Sequence, residues 1–238
     1  MDYTIMKNVQ SLWVGNHLSR MEQACINSFL NLGYEYNLYV YENIDNLPEK
    51  VKVFDANEIM PASELFVYNL PLNKGGGSYS GFSNYFRYKL LHLKGGTWVD
   101  TDVFLLKDLP CKQVLVINQD FQSVASCILR FPLGHEVPKI CNKICVEKDK
   151  KKILWGETGP DLITAVTIDL KIKAESSAEY FPIGWQETHR FLHDEPIPDT
   201  YTVHFWNEMW RRNVMFKNKK HPQNTLYEKL LSLQMKMI

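Results

Sequence analysis

Asp100 and Asp102 stand two residues apart inside an otherwise apolar run, TWVDTDVF, from Thr97 to Phe104. Read as one strand, the run alternates its side chains, so Trp98, Asp100 and Asp102 share one face while Val99, Thr101 and Val103 share the other. Two carboxylates on one face, flanked by apolar residues, repel each other and lose hydration unless a cation or hydrogen bonds compensate. A hard divalent cation relieves that repulsion. Mg²⁺ and Mn²⁺ take carboxylate, water and phosphate oxygens in octahedral geometry, and one or two protein carboxylates suffice when a diphosphate supplies the rest. Short acidic triplets recur by chance, so the residues ahead of the pair carry weight. Phe82, Phe86, Leu90 and Leu93 have helical spacing and form an apolar stripe, Asn84, Arg87 and Leu91 follow a neighbouring stripe, and Gly95-Gly96 stops the helix just before the acidic run. Arg87 thereby points from a helix beside the sheet.

Other residues offer weaker chemistry. Asp161 follows Gly159-Pro160 at a helix start, where it reads either as a carboxylate favoured by the helix N-terminus or as a ligand contact. His189 and His193 have the i, i+4 spacing of a metal pair but no H-E-x-x-H pattern and no third ligand. On its own, His204 beside Phe205 and Trp206 reads as a packed histidine. Trp185, Trp206 and Trp210 read equally as an aromatic ligand platform or as core. The run Lys74-Gly75-Gly76-Gly77-Ser78 can cradle phosphate with its amides or serve as a conformational loop; it fits neither G-x-G-x-x-G nor the P-loop.

The elements that must position these residues begin with SLWV, Ser11–Val14, a buried strand ending at Gly15-Asn16. Ser19 and Glu22 form a capping box, and the helix they open turns Met21, Ala24, Cys25, Phe29 and Leu32 to one side before Gly33 stops it. Tyr36–Tyr41 is aromatic and β-branched, hence strand, and another strand is expected over Val51–Phe54. Strand, helix, strand in ~30 residues predicts a right-handed βαβ unit, whose sheet binds ligands at the C-terminal ends of its strands. Trp13 lies at such an end.

Composition bounds the rest. The 238 residues hold 27 Lys+Arg and 27 Asp+Glu, a formal net charge of zero, with 45% apolar residues. That argues for a globular chain and gives no global field for nucleic acid, so an anionic partner must be held locally. One domain over 1–238 is expected, with about residues 1–110 as a ligand-binding half and about 111–238 as the second half and C-terminal segment. The five cysteines are odd in number, without C-x-x-C spacing, and read as reduced thiols. Met1–Gln10 has no apolar leader, and no run approaches the ~20 apolar residues of a membrane span. The expectation is a cytoplasmic protein, peripheral on a membrane at most, with the runs Glu147–Lys152 and Lys217–Lys220 as solvated surface or lipid contact.

The segment FSNYFRYKLLHLKGGTWVDTD resembles the helix-plus-DXD signature of sugar-nucleotide glycosyltransferases of the GT-A fold. It is most similar to the family 32-like group that includes α-1,4-glycosyltransferases and capsule or lipooligosaccharide enzymes. The likeness continues in SLWVGNHLSRMEQACINSFL, DANEIMP, GETGPDLIT and VHFWNEMWRR, in the family's order, from about residue 10 to 212. The resemblance implies an α/β GT-A fold with a Rossmann-like, mostly parallel sheet flanked by helices. It implies Asp102 as metal ligand, Asp100 on the ribose and the metal shell, His204 as the other protein ligand, and Trp13 stacked on the base. Arg87 would meet the donor sugar or diphosphate, with Trp98 and Asn84 in the same nucleotide-sugar site and Asp161 against the donor sugar or acceptor hydroxyl. Asn84 departs from the family, which has Asp there; it keeps hydrogen-bonding capacity and loses the charge, so altered donor choice is expected.

The expected function is transfer of a sugar, with retention, from a nucleoside diphosphate sugar (a UDP-sugar) to a hydroxyl of a glycan or glycolipid, using Mn²⁺ or Mg²⁺. The alternatives are a protein acceptor or a sugar-nucleotide-binding protein with weakened catalysis. A nuclease or phosphatase would need a larger carboxylate cluster than the sequence offers.

Overall fold

The computed structural model describes residues 7–233; the start of the N-terminal stretch, residues 1–6, lies outside them. Strand β1 (Asn8–Trp13), helix α1 (Arg20–Asn31) and strand β2 (Glu35–Val40) form the expected parallel βαβ unit, in register from Asn8 opposite Glu35 to Trp13 opposite Val40. The capping box is present: Ser19 accepts from the Met21 amide at 3.2 Å while Glu22 accepts from the Ser19 amide at 2.8 Å. Strand β3 (Lys52–Asp55) adds to β2 in parallel. Helix α2 (Ser80–Lys94) then runs to strand β4 (Gly96–Val99), which pairs in parallel with β1 on its other side. Gly95 makes the exit at φ 64°, where a Cβ would stand 2.5 Å from the Leu133 backbone nitrogen, so no larger residue fits.

The sheet has the order β3-β2-β1-β4-β7-β6, in which β7 (Val124–Phe131) is antiparallel to both β4 and β6 (Leu115–Asn118). It is mixed α/β and mostly parallel, as expected. Alternation along the strands feeds two apolar layers. Val9, Tyr36, Leu38 and Val99 pack with Phe29 of α1, and Leu12, Tyr39, Trp98 and Leu129 pack with Phe82 and Phe86 of α2. Helices α3 (Glu136–Glu147) and α4 (Pro160–Asp169) join the second layer, and α6 (Leu226–Leu233) the first. The apolar stripe of α2 is shorter than its spacing predicts: Phe82, Phe86 and Leu90 are buried, but Leu93 is 48% exposed.

One expectation fails in an instructive way. Thr97–Phe104 is not a single strand. It breaks after Val99 into a turn closed by the Val103 amide on the Asp100 carbonyl at 3.1 Å, then resumes as β5 (Val103–Leu105). β5 leaves the main sheet and pairs antiparallel with β8 (Thr202–His204). All five cysteines are free, as expected, and only Cys111 is exposed. Among the described residues no helix is long and apolar enough to cross a membrane.

Candidate active site

The turn after β4 places Asp100 and Asp102 at the C-terminal edge of the parallel strands. The two carboxylates lie together because the backbone turns, not because alternating residues share a strand face. The β5–β8 ladder does the rest. Its register sets His204 opposite Val103, and the Phe205 amide donates to the Asp102 carbonyl at 3.0 Å. Trp206 then takes the left-handed conformation (φ 58°, ψ 52°), which swings the Asn207 amide back to donate to Asp102 Oδ2 at 2.7 Å. Positive φ at a bulky aromatic residue is strain retained at this turn. His204 Nε2 lies 3.3 Å from Asp102 Oδ1. Among the described residues, Asp100, Asp102 and His204 converge, one ligand atom from each lying within 4.8 Å of the others.

The electrostatics are those of a site short of one cation. Burial pushes the Asp100 carboxyl up, against the pull of Arg87, and the Asp102 charge adds to the rise. Burial acts the same way on Asp102, but His204 and the Asn207 amide outweigh it and hold that carboxyl below its ordinary value. Burial likewise disfavours charge on His204, and Cys127 and Asp102 outweigh it, so its pKa lies well above the ordinary value. The donor set, two carboxylates and an imidazole, suits a divalent ion. The 3.3 Å between His204 Nε2 and Asp102 Oδ1 is close to the ~3 Å between neighbouring ligands around an octahedral ion of this size. The His204 ring also packs against Trp206, 3.9 Å centroid to centroid. The residues fit such a metal.

Behind the acidic turn stands Arg87, only 2% exposed. It donates to the Ser83 carbonyl and Oγ at 3.2 and 3.0 Å, and its Nη2 lies 3.1 Å from Asp100 Oδ1. Trp98 donates to the same Asp100 oxygen at 2.7 Å, and the Arg87 guanidinium sits 5.0 Å above the Trp98 ring. Asp100 is therefore fixed from two sides. Trp98 is almost wholly buried, yet it lines the cavity as well as holding Asp100.

These groups line a cavity of about 570 Å³, a volume in the range of small-molecule sites. Trp13 forms one wall, at the end of β1 as expected, with Lys217 Nζ 5.8 Å from its ring. Asn84 lines another, with its amide 3.4 Å from Thr158 Oγ1. Asp161, at the start of α4, is exposed into the same space. Trp206 is buried and lines the cavity; Trp185, 39% exposed, stands at it; Trp210 is 1% exposed and belongs to the core, so the expected trio splits. Of the glycine run, only Ser78 lines the cavity. Gly75 is required because a Cβ would lie 2.2 Å from Trp155, whose ring stacks on Arg212 at 3.9 Å. His189 and His193 pack edge to face at 5.6 Å and are both exposed; no third ligand among the described residues joins them.

Sequence reasoning missed Trp155, Ser83, Glu208 and Arg212 on the cavity wall, and the Asn207 amide. Trp155 adjoins the GETGP block and was open to notice. A backbone amide has no signature in side-chain types.

No protein-family profile matches the chain. The chain is 30% identical to lactosylceramide 4-alpha-galactosyltransferase of Pongo pygmaeus over 142 residues, which is 51% of this chain and 65% of that one. The Homo sapiens protein of the same name is also 30% identical over 142 residues, but only 40% of it is covered. The chain thus spans less than two thirds of the length of these relatives. Among solved structures it superposes on "PaToxG Glycosyltransferase" with a TM-score of 0.50 and 15% identity, covering 69% of this chain and 68% of the other. The chain is a glycosyltransferase relative. The sequence matches fall on proteins named as glycosyltransferases, in line with the resemblance that the DXD-containing segment carries, and the α/β fold is consistent with the GT-A type. In this glycosyltransferase relative the acidic turn, the β8 histidine and the end of β1 meet at one cavity.

Proposed function

We propose that this chain transfers a sugar, with retention of anomeric configuration, from a nucleoside diphosphate sugar to a hydroxyl of a glycan or glycolipid acceptor. It acts as a single catalytic domain, and its cofactor is Mn²⁺ or Mg²⁺. The observation that carries the reading is the convergence of Asp100, Asp102 and His204 on one cavity walled by Arg87 and Trp13. The names of the relatives, which specify galactosyl transfer to lactosylceramide, favour a UDP-hexose donor and a glycolipid acceptor.

In this reading Asp102 and His204 hold the ion, with Asp102 aimed by the Asn207 amide. Asp100 completes the shell and meets the ribose. When bound, the cation offsets the negative charge that grows on the diphosphate as the bond to the sugar breaks. Arg87, locked by Ser83 and Asp100, adds fixed positive charge at the same wall without having to reorganise. Trp13 stacks on the base, Asn84 meets the sugar hydroxyls, and Asp161 meets the donor sugar or orients the acceptor hydroxyl. No carboxylate identifies itself as a covalent nucleophile. The acceptor therefore attacks from the face the leaving group departs, and the departing phosphate takes its proton.

The test is a panel of UDP- and GDP-sugars, UDP-galactose first, with Mn²⁺, measuring released nucleoside diphosphate and binding. Mn²⁺-dependent hydrolysis that is absent in a folded Asp102→Ala variant is expected. Unchanged turnover in that variant refutes the metal assignment, and an inverted product by NMR refutes retention. Tight donor binding without turnover would favour the weakened-catalysis reading, for which Asn84 is the motive. Labelled protein instead of extended glycan in a lysate would favour a protein acceptor.

A further inference from the structure

Helix α5 (Asn207–Arg212) ends in an unusual way. Its last turn closes as a Schellman motif, with the Val214 amide on the Arg211 carbonyl at 3.3 Å and the Met215 amide on the Trp210 carbonyl at 2.8 Å. The residue such a motif places in the left-handed region is ordinarily glycine. Here it is Val214, at φ 55°. A β-branched residue at positive φ is strained, and little burial offsets that strain, for Val214 is 69% exposed. Met215 turns inward against the core, and Phe216 turns out again, 63% exposed.

The loop carrying these side chains is held firmly. The Tyr227 hydroxyl donates to the Lys217 carbonyl at 2.6 Å, Lys217 pairs with buried Glu22 at 2.6 Å, and Arg20 donates to the Lys219 carbonyl at 2.9 Å. Two large apolar side chains are thus presented to solvent by a tethered loop, at a cost in backbone strain.

Their surroundings are basic. From Asn207 to His221 there are five Lys and Arg residues against one acid, Glu208, in a chain whose total charge is zero. The acids that face this stretch are already engaged: Glu208 by Arg211 and Arg212, Glu22 by Lys217, and Glu228 by Arg20. Lys219 and Lys220 are exposed and form no ion pair among the described residues. Apolar tips close in sequence to two uncompensated lysines match an anionic bilayer, where the tips enter the interface and the lysines meet the head groups.

We infer that Val214 and Phe216, with Lys219 and Lys220, form a docking surface for an anionic phospholipid bilayer. The same helix supplies Glu208, Met209 and Arg212 to the cavity wall, so docking holds the cavity near the lipid surface. The inference does not depend on the transfer reaction proposed above, and its test needs no turnover.

The test is co-sedimentation of the full chain with vesicles of phosphatidylcholine alone or with added phosphatidylglycerol. Binding to the anionic vesicles and little to the neutral ones is expected. Phe216→Ser and Val214→Gly should each weaken binding about tenfold or more, and Val214→Gly should do so while raising Tm, which separates docking from folding. Lys219→Glu with Lys220→Glu should abolish the preference for anionic vesicles. Leu133→Ser, at the far end of β7 and 68% exposed, should bind like the parent chain. Absence of parental binding overturns the proposal. So does undiminished binding by both Phe216→Ser and Val214→Gly, or self-association through this loop, by sedimentation, in place of vesicle binding.

Discussion

Asp102 carries three constraints at once. Its carbonyl accepts from the Phe205 amide, its Oδ2 accepts from the Asn207 amide, and its Oδ1 faces His204. Replacement by Asn keeps the shape and removes the charge. The expected outcome is loss of Mn²⁺-dependent donor hydrolysis by about 100-fold or more, with unchanged circular dichroism. His204→Ala should weaken Mn²⁺ binding in calorimetry, since it removes one of three converging donors. At Asn84 the missing charge faces the cavity beside Thr158. Asn84→Asp should shift the ratio of kcat/KM between two donor sugars by about tenfold, measured on the UDP-sugar panel, because discrimination follows which hydroxyls find a partner.

At the scale of elements, α1 and α6 are joined where Arg20 meets Glu228 through two bonds of 2.9 and 2.7 Å. The hydrogen bond from Arg20 holds the Glu228 carboxyl below its ordinary value, against the effect of burial. A depressed folded-state pKa stabilises the fold above the unfolded value of ~4.3, and that contribution is lost as pH falls through the lower folded value. Parent and Glu228→Gln chains should therefore differ by about 1 kcal/mol near neutral pH and converge in acid, as read by urea unfolding across pH. At the end of α5 the sign is reversed. Val214→Gly removes the left-handed strain and should stabilise by about 1 kcal/mol, a rise in Tm of ~2–4 °C in calorimetry. Elements local in sequence were legible there: the Ser19–Glu22 capping box, the βαβ unit and the Gly95 stop follow from contacts a few residues apart. The β5–β8 pairing was not, since it joins segments some hundred residues apart by ladder register alone.

For the whole molecule, one apolar layer gathers Val9 of β1, Phe104 of β5, Val203 of β8 and Leu231 of α6, so the two halves of the chain share a core. A single cooperative unfolding transition is expected, with UDP and Mn²⁺ together raising Tm more than either alone; two separated transitions in calorimetry would speak for independent halves. Zero net charge is compatible with an anionic diphosphate substrate because the positive charge is local, in Arg87 and the ion that the acidic turn can hold. The basic stretch after α5 is the exception that the total conceals.

The sequence by itself determined the α/β class, the parallel start of the sheet, the helix that carries Arg87 and the acidic pair, because periodicity, caps and glycine stops act within a few residues. Only the tertiary structure decided why those residues meet. It turned the expected strand at Asp100, brought His204 and the Asn207 amide to Asp102, buried Trp210 and left Trp185 at the cavity. Each of these depends on which distant segments hydrogen-bond and pack, and burial and register belong to the folded chain as a whole.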